Sequence, residues 1–285
     1  MKEKNKVTLE EFKENFNNFN NFLSETEKAE TTIKAYSNAI LHFLIFASDY
    51  KVIDKQMLID YKKYLNDISN STNTRNLWIT VLNKYFKFIN VKLRLNLIRS
   101  QNRFINKDYM SLADYKRLLR AAKKEKMVQD YYIIKTLAMS GIRVSELKFF
   151  TVENLKIENK NIFNKGKERE LVISDKLAKE LRHYCREFKI KEGFIFRSIT
   201  NPQKIVCTST LWKHLKKIAS IAKVKKSIVH AHSFRHLFAD RFLEKHPGDT
   251  LTLQDLLGHE NPKTTSIYVK KNSQARKRIV NDIEF

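Results

Sequence analysis

The chain has 285 residues, of which 42% are hydrophobic, and a formal net charge of +24 at pH 7. This length suffices for one or two domains with cores of their own. The sequence shows no run of about 18 apolar residues and no secretory signal, so we expect neither a membrane protein nor a secreted one. The charge excess favours a polyanion, such as nucleic acid, as the partner. Cys185 and Cys207 are too few for a disulfide framework and lack metal-ligand spacing, so we expect buried thiols in a cytoplasmic protein.

The first hundred residues predict a bundle of helices. Apolar side chains recur at helical spacing in LEEFKENFNNFNNFLSE and again in TTIKAYSNAILHFLIFASDY. A shorter helix near residues 55–67 and another near 72–91 complete a four-helix unit. We therefore predict a helical N-terminal domain over residues 1–95. An interdomain linker is predicted over residues 96–108, where the periodicity is lost and basic residues recur.

The rest of the chain predicts a mixed domain. Ser111 or one of its neighbours can cap the helix of YMSLADYKRLLRAAKK, and the helix QDYYIIKTLAM is predicted to end at Ser140-Gly141. Three short runs, NLKIE, NIFN and ELVIS, have β-type composition, and the turn KGKER with Gly166 separates the last two. Further helices are predicted near residues 175–190, 208–223, 232–245, 252–258 and 262–270. Residues 109–285 thus form the second domain, and the fold class is mainly α with one small antiparallel β-sheet, an α+β fold.

The segment VHAHSFRHLFADRFLEK predicts a helix with two distinct faces. The apolar face, which we expect to be buried, consists of Phe234, Leu237, Phe238 and Phe242. His232, Arg235 and His236 lie on the other side, and His232 and Arg235 are one turn apart. By itself, this polar side fits a solvated basic face as well as a reactive site.

Four segments and a tyrosine follow one another in a recognisable order. The segments are GIRVSEL, NKGKER, HSFRH and LLGH, and Tyr268 comes nine positions after His259. This order resembles the tyrosine recombinase family, which includes phage integrases and Xer-like recombinases, over residues 108–270. The N-terminal part resembles the family's core-binding domain, a SAM-like DNA-binding domain, by architecture only. The resemblance implies six catalytic residues, which are Arg143, Lys165, His232, Arg235, His259 and Tyr268.

Two positions depart from the family pattern. Phe234 stands where recombinases often carry leucine, which is a conservative change on the buried face. The hairpin NKGKEREL is one residue shorter than the common form, so that Lys165 and Lys167 are alternative candidates for the reactive lysine. Lys165 precedes the glycine of the turn and matches the pattern better.

The implied reaction is the breakage of a phosphodiester without a metal or any other cofactor. Such a reaction needs positive groups where charge develops on the phosphorane. The guanidinium groups of Arg143 and Arg235 are suited to this because they pair with two non-bridging oxygens and stay charged. Tyr268 is the implied nucleophile, and its covalent 3′-phosphotyrosyl intermediate conserves the bond energy without ATP.

The other implied residues handle protons and hold the phosphate. His232 would accept the phenolic proton, because its reference pKa of about 6.5 lies near the working pH. Lys165 would protonate the departing 5′ oxygen, and His259 would donate a hydrogen bond to a non-bridging oxygen. Glu146, one turn after Arg143, is predicted to hold that arginine in place.

The resemblance also implies an assembly on double-stranded DNA. Two domains would clamp the duplex, and a homotetramer on two DNA sites would exchange strands through a Holliday junction. The C-terminal tail QARKRIVNDIEF would dock on the neighbouring protomer through the apolar residues Ile279, Val280, Ile283 and Phe285. The alternative is a tail that folds onto its own domain. No membrane partner is expected.

The predicted function is therefore a site-specific DNA recombinase, acting as an Xer-like resolvase or a mobile-element integrase. One alternative is a type IB topoisomerase-like enzyme, which uses similar arginine, lysine, histidine and tyrosine chemistry. The other alternative is a catalytically idle DNA-binding regulator, against which the presence of all six groups argues. Site-independent relaxation of plasmids by a monomer would favour the topoisomerase, and a covalent protein–DNA adduct would eliminate the regulator.

Overall fold

The computed structural model describes residues 4–68, 71–99, 109–156, 159–164 and 167–258. These residues form two compact units, one on each side of residues 100–108. The first unit is helical apart from a two-residue ladder, and the second combines helices with a two-stranded antiparallel sheet. The predicted fold class is confirmed. None of the helices in the described ranges combines the length and the apolar character that crossing a membrane requires.

Four α-helices, two short strands and a 3₁₀ turn at Ala47–Asp49 are the elements of the described part of the N-terminal unit. The elements in chain order are β1 (Val7–Thr8), α1 (Leu9–Glu25), α2 (Glu30–Phe46), β2 (Val52–Ile53), α3 (Lys55–Asp67) and α4 (Thr72–Phe88). Side-chain oxygens of Thr8, Asp54 and Ser71 cap α1, α3 and α4 by accepting a backbone N–H of the first turn. The four predicted helices are confirmed. The antiparallel pair of β1 and β2 is not predicted by the sequence, because two residues show no alternation.

An aromatic cluster fills the core of the N-terminal unit. Its fully buried members are Phe12, Phe19, Phe43, Tyr61, Tyr85 and Phe86. The rings of Phe12 and Tyr85 pack with their centroids 4.4 Å apart, and the Tyr85 hydroxyl donates a hydrogen bond to the Phe12 carbonyl over 2.5 Å. This bond satisfies a hydroxyl that burial would otherwise leave without a partner.

The segment after α4 runs back along that helix and is held by two asparagines. The Asn83 side chain exchanges hydrogen bonds with the backbone N–H and carbonyl of Leu95, both over 2.8 Å. Asn76 does the same with Ile98, over 2.8 and 3.0 Å. The first residues of the predicted linker 96–108 are therefore attached to α4, and the domain boundaries themselves stay predictions.

The C-terminal unit combines eight α-helix and strand elements with short 3₁₀ turns in its described residues. Its elements are α5 (Leu112–Lys124), α6 (Val128–Ser140), β3 (Asn159–Asn164), β4 (Lys167–Val172), α7 (Asp175–Glu187), α8 (Thr208–Ile221), α9 (Ala231–Lys245) and α10 (Thr250–Leu257), with 3₁₀ turns at Val144–Phe149, Asn154–Lys156 and Lys226–Ile228. Ser111 caps α5 as predicted, in a capping box with Asp114. Leu137 of α6 and Phe234 of α9 are buried in one hydrophobic core, which joins these two helices.

The sequence predictions about the run NLKIE and about Cys207 are wrong. The run NLKIE does not begin a strand, because the Asn154 side chain donates to the Phe149 carbonyl over 2.6 Å and its N–H donates to the Thr151 hydroxyl over 3.2 Å, which favours a turn. Cys207 is exposed rather than buried, since its sulfur caps the start of α8, whereas Cys185 is buried as predicted. The helix predicted near residues 262–270 lies outside the described residues.

Candidate active site

Three of the six implied catalytic residues lie in the described ranges, and all three belong to the C-terminal unit. Arg143 directly precedes the 3₁₀ turn at Val144–Phe149, and His232 and Arg235 lie near the start of α9. The implied residues that lie outside the described ranges are Lys165, His259 and Tyr268.

The backbone reaches Arg143 through a close passage at Gly141. Helix α6 ends at Ser140, and Gly141 adopts the left-handed conformation, with a φ of +62°, that ends many helices. A Cβ atom on Gly141 would lie 2.5 Å from Phe238 Cδ1 and 2.9 Å from Leu257 Cδ2. Only glycine therefore lets this turn pack against α9 and α10, and the same packing sets the position from which the Arg143 side chain starts.

Glu146 fixes Arg143 at two points. The buried Glu146 carboxylate accepts the backbone N–H of Arg143 over 2.8 Å, and its other oxygen lies 3.4 Å from the guanidinium. Arg143 Nη2 also donates to the Gly258 carbonyl over 2.9 Å. The Arg143 side chain keeps 38% of its surface exposed, so a firmly held charge faces solvent. The prediction that Glu146 holds this arginine in place is confirmed.

Arg235 is buried, contrary to the helical-wheel prediction that separates it from the buried face of α9. Its surface is 1% exposed. Its Nη1 donates to the Gly141 carbonyl over 2.8 Å, and its Nη2 donates to the Leu257 carbonyl over 2.5 Å. The wheel considers α9 alone, whereas these two carbonyls come from the ends of other helices. The guanidinium tolerates burial because the carbonyl oxygens replace the water that it loses.

The two arginines meet at the C-terminal end of α10. The Leu257 carbonyl binds Arg235, and the carbonyl of the next residue, Gly258, binds Arg143. Gly258 has a φ of +60° and ends the helix. Carbonyl oxygens at a helix C-terminus carry a partial negative charge, which stabilises nearby cations. The sequence predicts the LLGH segment as a motif, but a backbone acceptor has no sequence signature, so this contact could not be foreseen.

His232 lies beside these charges. Its ring meets the ring of His236 edge to face, with centroids 4.5 Å apart. The pKa of His232 is lowered, first by the loss of surrounding water and then by the positive charges of Arg235, of His230 in its protonated form, and of Arg143. Part of the His232 side chain stays exposed to solvent. A lowered pKa keeps the imidazole neutral near pH 7, which is the form that accepts a proton.

The described part of the site is suited to binding an anion next to a group that gives up a proton. Arg143 and Arg235 provide two positive charges at one helix end, and His232 provides a neutral base beside them. Among the residues that the structure describes, no three potential metal-ligating side chains lie close enough to share an ion.

Comparison with known proteins identifies the family. The sequence model of the phage integrase family matches residues 108–275. A tyrosine recombinase of Pseudothermotoga lettingae is 28% identical over 288 residues, which cover 93% of this chain and 96% of that protein. Tyrosine recombinase XerA of Pyrococcus furiosus is 27% identical over 269 residues, which cover 92% and 91%. Among solved structures, a lambda integrase tetramer bound to a Holliday junction matches with a TM-score of 0.73 at 14% identity, over 93% of this chain and 78% of that one.

The family match spans more than half of the chain and includes every segment of the predicted motif. These comparisons favour neither a type IB topoisomerase-like enzyme nor a catalytically idle regulator. The chain belongs to the phage integrase family and is a tyrosine recombinase, an enzyme that breaks and rejoins DNA strands.

Proposed function

We propose that Arg143, Arg235 and His232 form the phosphate-binding part of the recombinase active site. The observation that carries this proposal is that both guanidinium groups bind consecutive carbonyls at the end of α10, close enough to His232 for their charges to lower its pKa. Arg143, with its exposed side chain, would pair with non-bridging oxygens of the scissile phosphate. Arg235 is buried and would stabilise the phosphorane from the protein interior. The lower dielectric there strengthens the attraction between the guanidinium and the developing negative charge.

The motif positions supply the rest of the proposed site. Tyr268 would attack the phosphorus and form a bond to the 3′ phosphate, while His232 takes the phenolic proton. The bond to the 5′ oxygen breaks as that oxygen receives a proton from Lys165, and His259 would donate a hydrogen bond to a non-bridging oxygen. Because the phosphotyrosyl bond conserves the energy of the broken bond, the reverse of these steps rejoins the strands without ATP.

A nicked DNA substrate, built on a sequence selected by its binding to the protein, tests this function. Cleavage next to the nick releases a short fragment that diffuses away, so that rejoining cannot occur. We expect an SDS-stable protein–DNA adduct that forms to the same extent in EDTA, since no step of the proposed mechanism requires a metal. The absence of an adduct on such a substrate would contradict the proposal.

A sulfur leaving group distinguishes Lys165 from Lys167. Lys167 begins β4 and pairs with Asn164 of β3, whereas Lys165 lies outside the described residues. A 5′-bridging phosphorothiolate hardly needs protonation when it leaves. We expect this substrate to restore the rate of adduct formation in Lys165→Ala and not in Lys167→Ala. Restoration in Lys167→Ala alone would transfer the role of general acid to Lys167.

We propose that the active form is a homotetramer on two double-stranded DNA sites. The lambda integrase tetramer on a Holliday junction, which has the same fold, supports this assembly. The net charge of +24 suits a DNA partner, because neutralised phosphates release their counterions. Residues 1–95 and residues 109–285 would each contact the duplex, as a core-binding and a catalytic domain.

Deletion of residues 274–285 tests the proposed contact between protomers. The deletion removes the apolar residues of the tail, whose burial on the next protomer would contribute several kcal/mol by area, before the cost of ordering. We expect the truncated protein to bind one DNA site normally and to lose two-site complexes in gel-shift and synapsis assays. Unchanged two-site complexes would mean that the tail packs on its own domain.

The proposed biological role is that of a cytoplasmic Xer-like resolvase or mobile-element integrase. The similarity to XerA of Pyrococcus furiosus supports the first kind, and the fold shared with lambda integrase is compatible with the second. Selection of bound sequences from genomic fragments would separate them. A single chromosomal site indicates resolution, whereas sites at the ends of a mobile element indicate integration and excision.

A further inference from the structure

Lys216 makes two hydrogen bonds that the proposed mechanism does not use. This residue lies in α8, and its ammonium donates to the carbonyl of Lys226 over 2.5 Å and to that of Val229 over 2.8 Å. The side chain is half-buried, and burial lowers the pKa of the ammonium. The two carbonyl oxygens offset this loss of water. They also tie α8 to the turn at Lys226–Ile228.

That turn leads directly into helix α9. Val229 is fully buried and is followed by His230, the N-cap residue of α9. The Ser233 N–H donates to the His230 carbonyl over 2.9 Å, and the Ser233 hydroxyl forms a hydrogen bond of 3.0 Å with His230 Nε2. His232 comes two residues after the N-cap, so the contacts that start the helix also fix the backbone from which its ring extends.

We propose that Lys216 is a positioning residue for His232. By holding the carbonyls of Lys226 and Val229, it fixes the path of the chain into α9 and thereby the direction of the His232 imidazole. The inference rests on the proposed function, in which His232 accepts the proton of Tyr268, and extends it to a residue outside the motif. Because a displacement of about 1 Å can cost on the order of a hundredfold in rate, such a fixed entry is needed for catalysis.

The Lys216 ammonium also affects the charge around His232. After burial, it is the next cause of the lowered pKa of His230. The charge of His230 is in turn one of those that lower the pKa of His232, together with the charges of Arg235 and Arg143. Lys216 thus favours a neutral His230 at the start of α9.

The test compares Lys216→Met with Lys217→Met in the full chain on the nicked DNA substrate. Lys217 is the exposed neighbour in α8, so both variants remove one positive charge from the same helix. At saturating protein, we expect Lys216→Met to cleave about tenfold to a hundredfold more slowly than wild type, as for a misplaced catalytic group. Lys217→Met should cleave at the wild-type rate, and the two variants should have the same DNA affinity.

The conservative variant supplies the second measurement. Lys216→Arg should cleave within about threefold of wild type, because a guanidinium can donate to both carbonyls. If Lys216→Met melts below the assay temperature, both Met variants are compared at a lower temperature at which both are folded, and a normal rate of Lys216→Met there would overturn the inference. Equal rates in the two Met variants, a loss confined to DNA affinity, or no rescue by arginine would also overturn it. No adduct with the wild-type protein would instead contradict the proposed function.

Discussion

Tyr268→Phe is expected to abolish the covalent protein–DNA adduct and to leave DNA affinity within about threefold of wild type, because one hydroxyl contributes little to an interface dominated by phosphate contacts. Without the phenolic oxygen no phosphotyrosyl bond can form, and cleavage of the nicked substrate should fall below detection. Denaturing gel electrophoresis measures the adduct, and a gel shift under native conditions measures the affinity.

Tyr132→Phe is a matched control in the C-terminal unit. The Tyr132 ring packs on the ring of Tyr184 with centroids 4.6 Å apart, and burial raises the pKa of the Tyr132 hydroxyl, which makes it a poor nucleophile. We expect this variant to form the adduct at the wild-type rate. An adduct formed by Tyr268→Phe would assign the nucleophile to another of the 11 tyrosines in the chain.

Features that depend on neighbouring residues could be predicted from the sequence. The segment GIRVSEL predicts that Glu146 holds Arg143, and the carboxylate does accept the Arg143 N–H over 2.8 Å. The cap at Ser111 and the helices of the first unit follow from the same local rules, since a cap or an apolar stripe involves residues within one or two turns. The order of the motif was informative because phosphodiester chemistry restricts which residue types can serve.

Features that depend on distant backbone could not be predicted in this way. The wheel of α9 separates Arg235 from the buried face because it contains no information about the Gly141 turn or the end of α10, whose carbonyls bind the guanidinium. The sequence likewise does not predict which two carbonyls bind Lys216. Any residue can supply a carbonyl, so only the fold reveals which ones are within reach of a buried cation.

Arg235→Lys is expected to keep the fold and to lower the cleavage rate by about a hundredfold or more, the usual effect of losing a charge-stabilising donor. Arg235 uses two nitrogens to bind the carbonyls of Gly141 and Leu257. A lysine ammonium keeps the charge but lacks the planar fork that reaches both acceptors at once. The rate of adduct formation on the nicked substrate, at saturating protein, measures the effect.

Arg235→Ala separates the stability of the site from its chemistry. This variant leaves two buried carbonyls without their donor, at a cost of about 1–3 kcal/mol each, so urea denaturation should give a lower free energy of unfolding than for Arg235→Lys. Arg241→Ala is the control in α9. The exposed ion pair between Arg241 and Glu244 should contribute less than about 1 kcal/mol to stability, and the variant should cleave at the normal rate.

Near-normal cleavage by Arg235→Lys would restrict Arg235 to a structural role and leave the phosphate to Arg143. Slow cleavage by Arg235→Lys, with a free energy of unfolding close to that of wild type, would place the fork of Arg235 in the reaction itself.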